Sequence, residues 1–268
     1  MVTALLLAGI GAWLVLSTGG GPDPKQRPTA APVASTTTEP PAPPLQRYWF
    51  AGDSVASNLA NPMAVLAAAR GLQWSNAASV GCRVLEGVPT LPDGTPAGPE
   101  SCPSIADRVA EGWVDGEQVA VILSSWEVSG LLMDEVAYAY GSPRWEAKTF
   151  ALWDDALGAL ASSGVRSVVI VAPAPPADWI AALTPDGLQY AADVRRYERF
   201  LARVAARHAD LVTLVRLSSI ACPGGPCPMV VDGVELRPGD GGHLSIVGAQ
   251  TVAERLIDAV VEAANRVA

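Results

Sequence analysis

The run Val119–Leu123, VAVIL, does most to limit what this chain can become. Five apolar residues in succession leave no side for water, so the run fits a central strand covered on both faces, as in a parallel sheet. Its neighbours keep the same alternation. Arg47–Gly52 (RYWFAG) reads as a first strand. Val55–Arg70 reads as a helix, with Leu59, Met63, Leu66 and Ala69 at helical spacing. A second strand is expected over Leu72–Ala77. A helix over Trp145–Ser162, ended by Gly164, precedes a buried strand over Val165–Ala172, which Pro173, Pro175 and Pro176 stop. A charged-faced helix over Pro185–His208, a short strand over Leu211–Val215 and a final helix over Ser245–Val267, N-capped by Ser245, complete the series. This βαβα order predicts an α/β three-layer sandwich with a mainly parallel central sheet over residues 47–268. Such sheets bind ligands outside the carboxyl ends of their strands, so the residues that follow strands carry the functional question.

The N-terminal 46 residues do not fit that pattern. Thr3–Leu16, TALLLAGIGAWLVL, is almost wholly apolar, a little short of the ~20 residues that cross a bilayer. No Lys or Arg precedes it and no clear cleavage site follows. The expectation for residues 1–18 is therefore a retained membrane anchor, in preference to a cleaved signal. Residues 19–46 are rich in Pro, Thr, Ala and Ser with no apolar period, which predicts a disordered tether. Anchor, tether and domain together predict an enzyme held outside a membrane. The net charge of −9, with no basic run, excludes a nucleic-acid partner of the usual kind, since phosphate binding needs clustered Lys and Arg.

Four cysteines fall as two close pairs, Cys82 with Cys102 and Cys222 with Cys227. Three pairings are open to four cysteines. The sequential pairing is the expectation, in keeping with an oxidising compartment. No cysteine has a ligand His beside it and the spacings match no zinc pattern, so no metal is implied. Nothing calls for a cofactor.

The first strand ends in Gly52-Asp53-Ser54. A serine at a strand-to-helix turn faces the crevice, and its N–H lies at a helix N-terminus, where negative charge is stabilised. It becomes a nucleophile only with a base to take its proton. The chain has two histidines. His208 lies late in a charged helix, whereas His243 stands in Asp240-Gly241-Gly242-His243-Leu244-Ser245, just before the last helix. Asp240, three residues earlier, is spaced to orient one imidazole nitrogen while the other faces Ser54.

FAGDSVA near the start and DGGHLS near the end resemble the first and last sequence blocks of the SGNH (GDSL) hydrolase superfamily, a likeness that spans about Tyr48–Ala264. The resemblance implies a flavodoxin-like sheet, Ser54 as nucleophile, His243 as base and Asp240 as orienting carboxylate. It implies an oxyanion hole from the N–H groups of Ser54 and Gly81, the latter in ASVGCRVLEG. The family's third block normally supplies an asparagine after the central strand. Here Ser124-Ser125-Trp126-Glu127-Val128-Ser129 stands instead, and the Ser125 hydroxyl or the Trp126 N–H is the expected substitute donor. The W-E pair and the CPGGPCP…DGVELRPGDGGH stretch further resemble SGNH domains of actinobacterial envelope proteins, often fused to membrane acyltransferases. By that likeness a Cys222–Cys227 bridge stiffens the loop that delivers His243, despite one extra residue, Gly239, before Asp240. Asp53, Ser125, Trp126 and Arg237 are candidate substrate-binding residues. For Asp53 local hydrogen bonding is the favoured role; for Trp126 the alternative is packing over the pocket, and for Arg237 a structural ion pair.

These readings imply an extracytoplasmic serine esterase or O-acyltransferase in the bacterial envelope. It would act on acyl groups, acetyl by resemblance, of an envelope glycan or glycolipid, with a membrane acyltransferase as a possible partner. A second reading is a non-catalytic glycan-binding or scaffold protein on the same fold. The missing asparagine motivates it, as do tryptophans able to stack on sugars, among them Trp74, Trp113, Trp126 and Trp145.

Overall fold

The computed structural model describes residues 45–99, 102–123, 125–177, 185–222, 227–228, 230–239 and 241–267. The expected anchor and nearly all of the expected tether lie outside the described residues. Leu45, assigned to the tether by composition, is buried, and its N–H donates to Asn265 Oδ1 at 3.4 Å. The packed domain thus already includes residues before Arg47.

The chain runs through β1 (Arg47–Gly52), α1 (Ser54–Ala69), β2 (Gln73–Ala78), β3 (Val88–Thr90) and α2 (Ile105–Ala110). It continues through β4 (Val119–Leu123), β5 (Gly130–Met133), β6 (Val136–Tyr138), α3 (Pro143–Ser162) and β7 (Ser167–Ala172). Then come α4 (Pro185–Arg207), β8 (Val212–Arg216), α5 (Leu217–Ala221), β9 (Val230–Val231), β10 (Val234–Glu235) and α6 (Ile246–Ala264). Strands β2-β1-β4-β7-β8, in that order, form one parallel sheet. This is the flavodoxin-like order, and the winding changes direction between β1 and β4. The crevice at that switch lies beyond Gly52 and Leu123, which are register partners.

Strand pleating divides the core in two. Tyr48, Phe50, Val121, Leu123 and Val169 face α1 and α6. Trp49, Ala51, Ala120, Ile122 and Ile170 face α3 and α4. All five residues of β4 are buried, as its unbroken apolar run requires. The three-layer α/β expectation therefore holds. Helix starts follow local chemistry: the Ser142 side chain accepts from Trp145 N ahead of Pro143, and the Ser245 side chain accepts from Gly248 N.

A small antiparallel sheet, β3-β5-β6, and helix α2 were not expected from the sequence. The β5–β6 turn places Asp134 and Glu135 at φ of 51° and 61°, where an Asn-Gly pair is the usual signal. The cysteines pair sequentially, Cys82 with Cys102 and Cys222 with Cys227.

Gly52 marks the tightest approach. A Cβ there would lie 1.9 Å from the Leu123 carbonyl oxygen and 2.3 Å from Ala56 Cβ. Backbone and helix cannot both yield, so Gly52→Ala is expected to cost at least about 3 kcal/mol of unfolding free energy, read from urea denaturation.

Candidate active site

Asp53 closes the turn between β1 and α1. It is fully buried, and its carboxylate caps the helix by accepting from Val55 N at 2.9 Å. The other carboxylate oxygen crosses to the turn after β4. There it accepts from Ser125 N at 2.5 Å, Ser125 Oγ at 2.8 Å and Trp126 N at 3.1 Å. Burial without partners would disfavour a charged carboxylate; four donors offset that cost. Asp53 thus has no face left for substrate, and it makes the local hydrogen bonds expected of it. For the Ser125 hydroxyl and the Trp126 main-chain N–H, the expectation of a substitute oxyanion donor is corrected. Both are turned toward Asp53, so neither supplies the donor that an asparagine would have brought to an oxyanion.

Ser54 is the first residue of α1, so its N–H has no acceptor within the helix. Its Oγ lies 2.8 Å from His243 Nε2, joining residues 189 positions apart. His243 is exposed, but the residues beside it are fixed. Leu244 is buried with Cys222 and Cys227 in the core on the α1 side. Ser245 N donates to Leu236 O at 2.8 Å, and Ser245 Oγ donates to Glu235 O at 2.6 Å. Ala177 N donates to Gly241 O at 3.0 Å, which ties the histidine loop to the segment after β7. Arg237 is buried and its Nη1 donates to the Pro175 carbonyl. A side chain so enclosed braces the loop; it is not presented to a substrate, contrary to expectation. Asp240 lies outside the described residues.

Gly81 sits beyond β2, in a turn closed by Cys82 N donating to Ser79 O at 3.2 Å. Its φ is +77°, a conformation that glycine tolerates best. Ser79 N donates to Gly52 O at 2.8 Å, so the Gly81 turn and the Ser54 turn leave adjacent strands at the same edge. Sequence reasoning missed what holds this loop. Glu127 is fully buried and accepts from Val84 N at 2.9 Å and Leu85 N at 3.3 Å. Arg83 is buried beside it, with Nε 3.8 Å from Glu127 and Nη1 donating to Gly130 O at 3.2 Å. Burial, and then the nearby Glu127 charge, push the Tyr197 phenol well above its ordinary pKa. The signal was legible in hindsight: a lone glutamate amid Trp126-Glu127-Val128, close behind a fully buried strand, must find donors.

His208 pairs with Asp154 at 2.8 Å, in contact with the α3 surface and apart from the site. Trp145 is core, and Trp74 stacks on Tyr48 at 5.7 Å between ring centres. Neither is presented as a sugar platform. Trp113, by contrast, is 46% exposed, with the Arg108 guanidinium over its ring.

Residues 25–258 match the family model described as SGNH domain (fused to AT3 domains). The chain belongs to this SGNH domain family. Among solved structures, this SGNH domain is similar to the periplasmic domain of a lipopolysaccharide acetyltransferase from Salmonella ser. Paratyphi A. The two share 11% identity over 81% of this chain and 84% of that one, with a TM-score of 0.56. It is also similar to a GDSL-like lipase from Bacteroides thetaiotaomicron, at 15% identity over 81% and 88% of the two chains, TM-score 0.48. A lipase/acylhydrolase from Enterococcus faecalis aligns at 14% identity over 81% and 96%, TM-score 0.47. At such identities the first likeness establishes the fold. No curated protein matches the sequence.

The buried Glu127 gives a stability test. Glu127→Leu strands the Arg83 charge and two N–H donors, at an expected cost of about 3–5 kcal/mol in urea denaturation. Adding Arg83→Met removes the stranded charge and should recover part of that loss. An additive double variant would show that the two side chains do not depend on each other.

Proposed function

We propose that this SGNH domain is a serine esterase or O-acyltransferase that works through an acyl-enzyme on Ser54. The carrying observation is the 2.8 Å approach of His243 Nε2 to Ser54 Oγ at the topological switch of the sheet. In the proposed reaction His243 takes the Ser54 proton as Oγ attacks the acyl carbonyl. The N–H groups of Ser54 and Gly81 hold the oxyanion. His243 then protonates the departing alcohol, and an acyl-Ser54 ester remains. Water, or a sugar hydroxyl deprotonated by the same imidazole, attacks that ester and frees Ser54. Asp240 is proposed to orient the imidazole. Hydrolysis and transfer use the same groups and differ in whether the crevice excludes water.

The substrate we propose is an O-acyl group, acetyl in the first instance, on a cell-envelope glycan or glycolipid. Two findings support this: the family includes forms fused to AT3 domains, and one solved relative is named a lipopolysaccharide acetyltransferase. A membrane acyltransferase is the partner this suggests. Two disulfides support a place outside the cytoplasm. Residues 1–18 are proposed as the membrane anchor and 19–44 as the tether. Among the described residues no helix is long and apolar enough to cross a membrane.

The full chain in detergent should hydrolyse p-nitrophenyl acetate and take up a serine-directed phosphonate at Ser54. Ser54→Ala should abolish labelling, and either Ser54→Ala or His243→Ala should lower kcat by at least about 10³-fold. Neither turnover nor labelling in the folded wild type would favour the glycan-binding reading. Asp53→Asn should lower kcat with little change in KM, by about tenfold or more, because the Ser54 turn loses its tie to the β4 turn. An unchanged kcat would separate that tie from catalysis.

A further inference from the structure

A cleft of about 500 Å³ lies between α1 and the start of α6. It begins one helical turn beyond Ser54, at Asn58, and beside His243, at Leu244. Asn58, Asn61 and Val65 follow Ser54 on one stripe of α1, at the spacing that keeps helix side chains on a shared face. A group bonded near Ser54 Oγ can therefore continue along this stripe without crossing a helix. The volume is within the range typical of small-ligand sites.

The chemistry of the walls narrows the occupant. The Asn58 side-chain oxygen is buried and has no hydrogen-bond partner. Pro62, inside the same helix, has no N–H, so the Asn58 carbonyl lacks its usual helical donor as well. Asn58 thus places an unmet side-chain acceptor one turn from the nucleophile. The amides of Asn61 and Gln250 add both donors and acceptors. Glu254 is the one ionisable group among the lining residues, so the cleft offers no cation to an anionic ligand. Between these groups lie Pro62, Val65 and Ile246, with Val65 at 69% and Ile246 at 83% exposure. A hydrocarbon chain would cover the aliphatic wall but leave the Asn61 and Gln250 amides desolvated and unpaired, at a penalty for each. A hydroxyl-rich, uncharged chain with C–H faces meets both requirements.

We propose that the α1–α6 cleft is the subsite for a neutral oligosaccharide, the alcohol side of the ester, whose hydroxyls pair with the amide side chains of Asn58, Asn61 and Gln250 that line it. This assignment rests on the reading of Ser54 as nucleophile. It adds the subsite, the neutrality of the glycan and the direction in which it leaves the reacting ester.

The test uses the full chain in detergent with O-acetylated cellotetraose, its anionic counterpart O-acetylated tetragalacturonate, and p-nitrophenyl acetate as the small reference ester. Wild type should favour the neutral over the anionic oligosaccharide by about tenfold in kcat/KM. In Asn58→Leu and Gln250→Leu, the ratio of cellotetraose-ester to reference kcat/KM should fall about tenfold, mainly through KM. Melting temperatures identify a variant that has not folded. Gln250 is exposed, which keeps the second variant informative if the first fails. Calorimetric titration of unacetylated cellotetraose into Ser54→Ala reads the cleft without turnover, and Asn58→Leu in that background should abolish the binding. Binding of this kind with no esterase activity would sustain the cleft and reject the nucleophile. Three results would overturn the proposal: unchanged ratios in folded variants, preference for the anionic oligosaccharide, or a gain with longer acyl nitrophenyl esters that the variants erase.

Discussion

One carboxylate ties together the two turns that flank the crevice. Asp53 caps α1 through Val55 N while drawing in three donors from Ser125 and Trp126, in the turn that follows the fully buried strand β4. The nucleophile candidate, next in the chain, therefore starts a helix whose first turn is bonded to its neighbour strand's exit. Gly52 makes this possible by bringing backbone against the Leu123 carbonyl, where no side chain fits. Preorganisation of this sort counts in acyl transfer, because donors that are already fixed need not reorganise as charge develops.

A second buried carboxylate does the equivalent work on the other side. Glu127 holds Val84 and Leu85, just past Gly81, and the Cys82–Cys102 bridge fastens the same loop covalently. Asp53 and Glu127 thus lock the β1, β2 and β4 exits to one another. Ser125 N, Ser125 Oγ and Trp126 N are committed to Asp53, and the proposed oxyanion is assigned to two main-chain N–H groups, those of Ser54 and Gly81. On the third side, Arg237 and Ala177 fasten the histidine loop to the segment after β7.

Much of this was legible in the residues. VAVIL could only be a doubly covered strand, and the strand–helix alternation led to the parallel sheet. A serine after the first strand and a histidine before the last helix meet because the end of β1 and the loop before α6 reach the same carboxyl edge of the sheet. The antiparallel β3-β5-β6 sheet was not legible. Its strands are three or four residues long, and its turn uses Asp134 and Glu135 at positive φ in place of glycine. Nor were the roles of Ser125 and Arg237. Polar residues near a reacting serine suggest substrate contact, and only burial and hydrogen-bond partners show that these two serve the scaffold. Glu127 was noticed as part of a W-E pair, but its partners, Val84 and Leu85, lie 43 and 42 positions away and no local pattern announces them.

In the proposed reaction the Ser54 oxygen, with its proton taken by His243, becomes covalently acylated. Acid-quenching the enzyme during turnover of p-nitrophenyl acetate, followed by peptide mass mapping, reads that bond directly. One acetyl group is expected on the peptide that carries Ser54, and none there in His243→Ala. Acetyl found on another residue, or continued turnover in the chain that lacks the Ser54 hydroxyl, would contradict it.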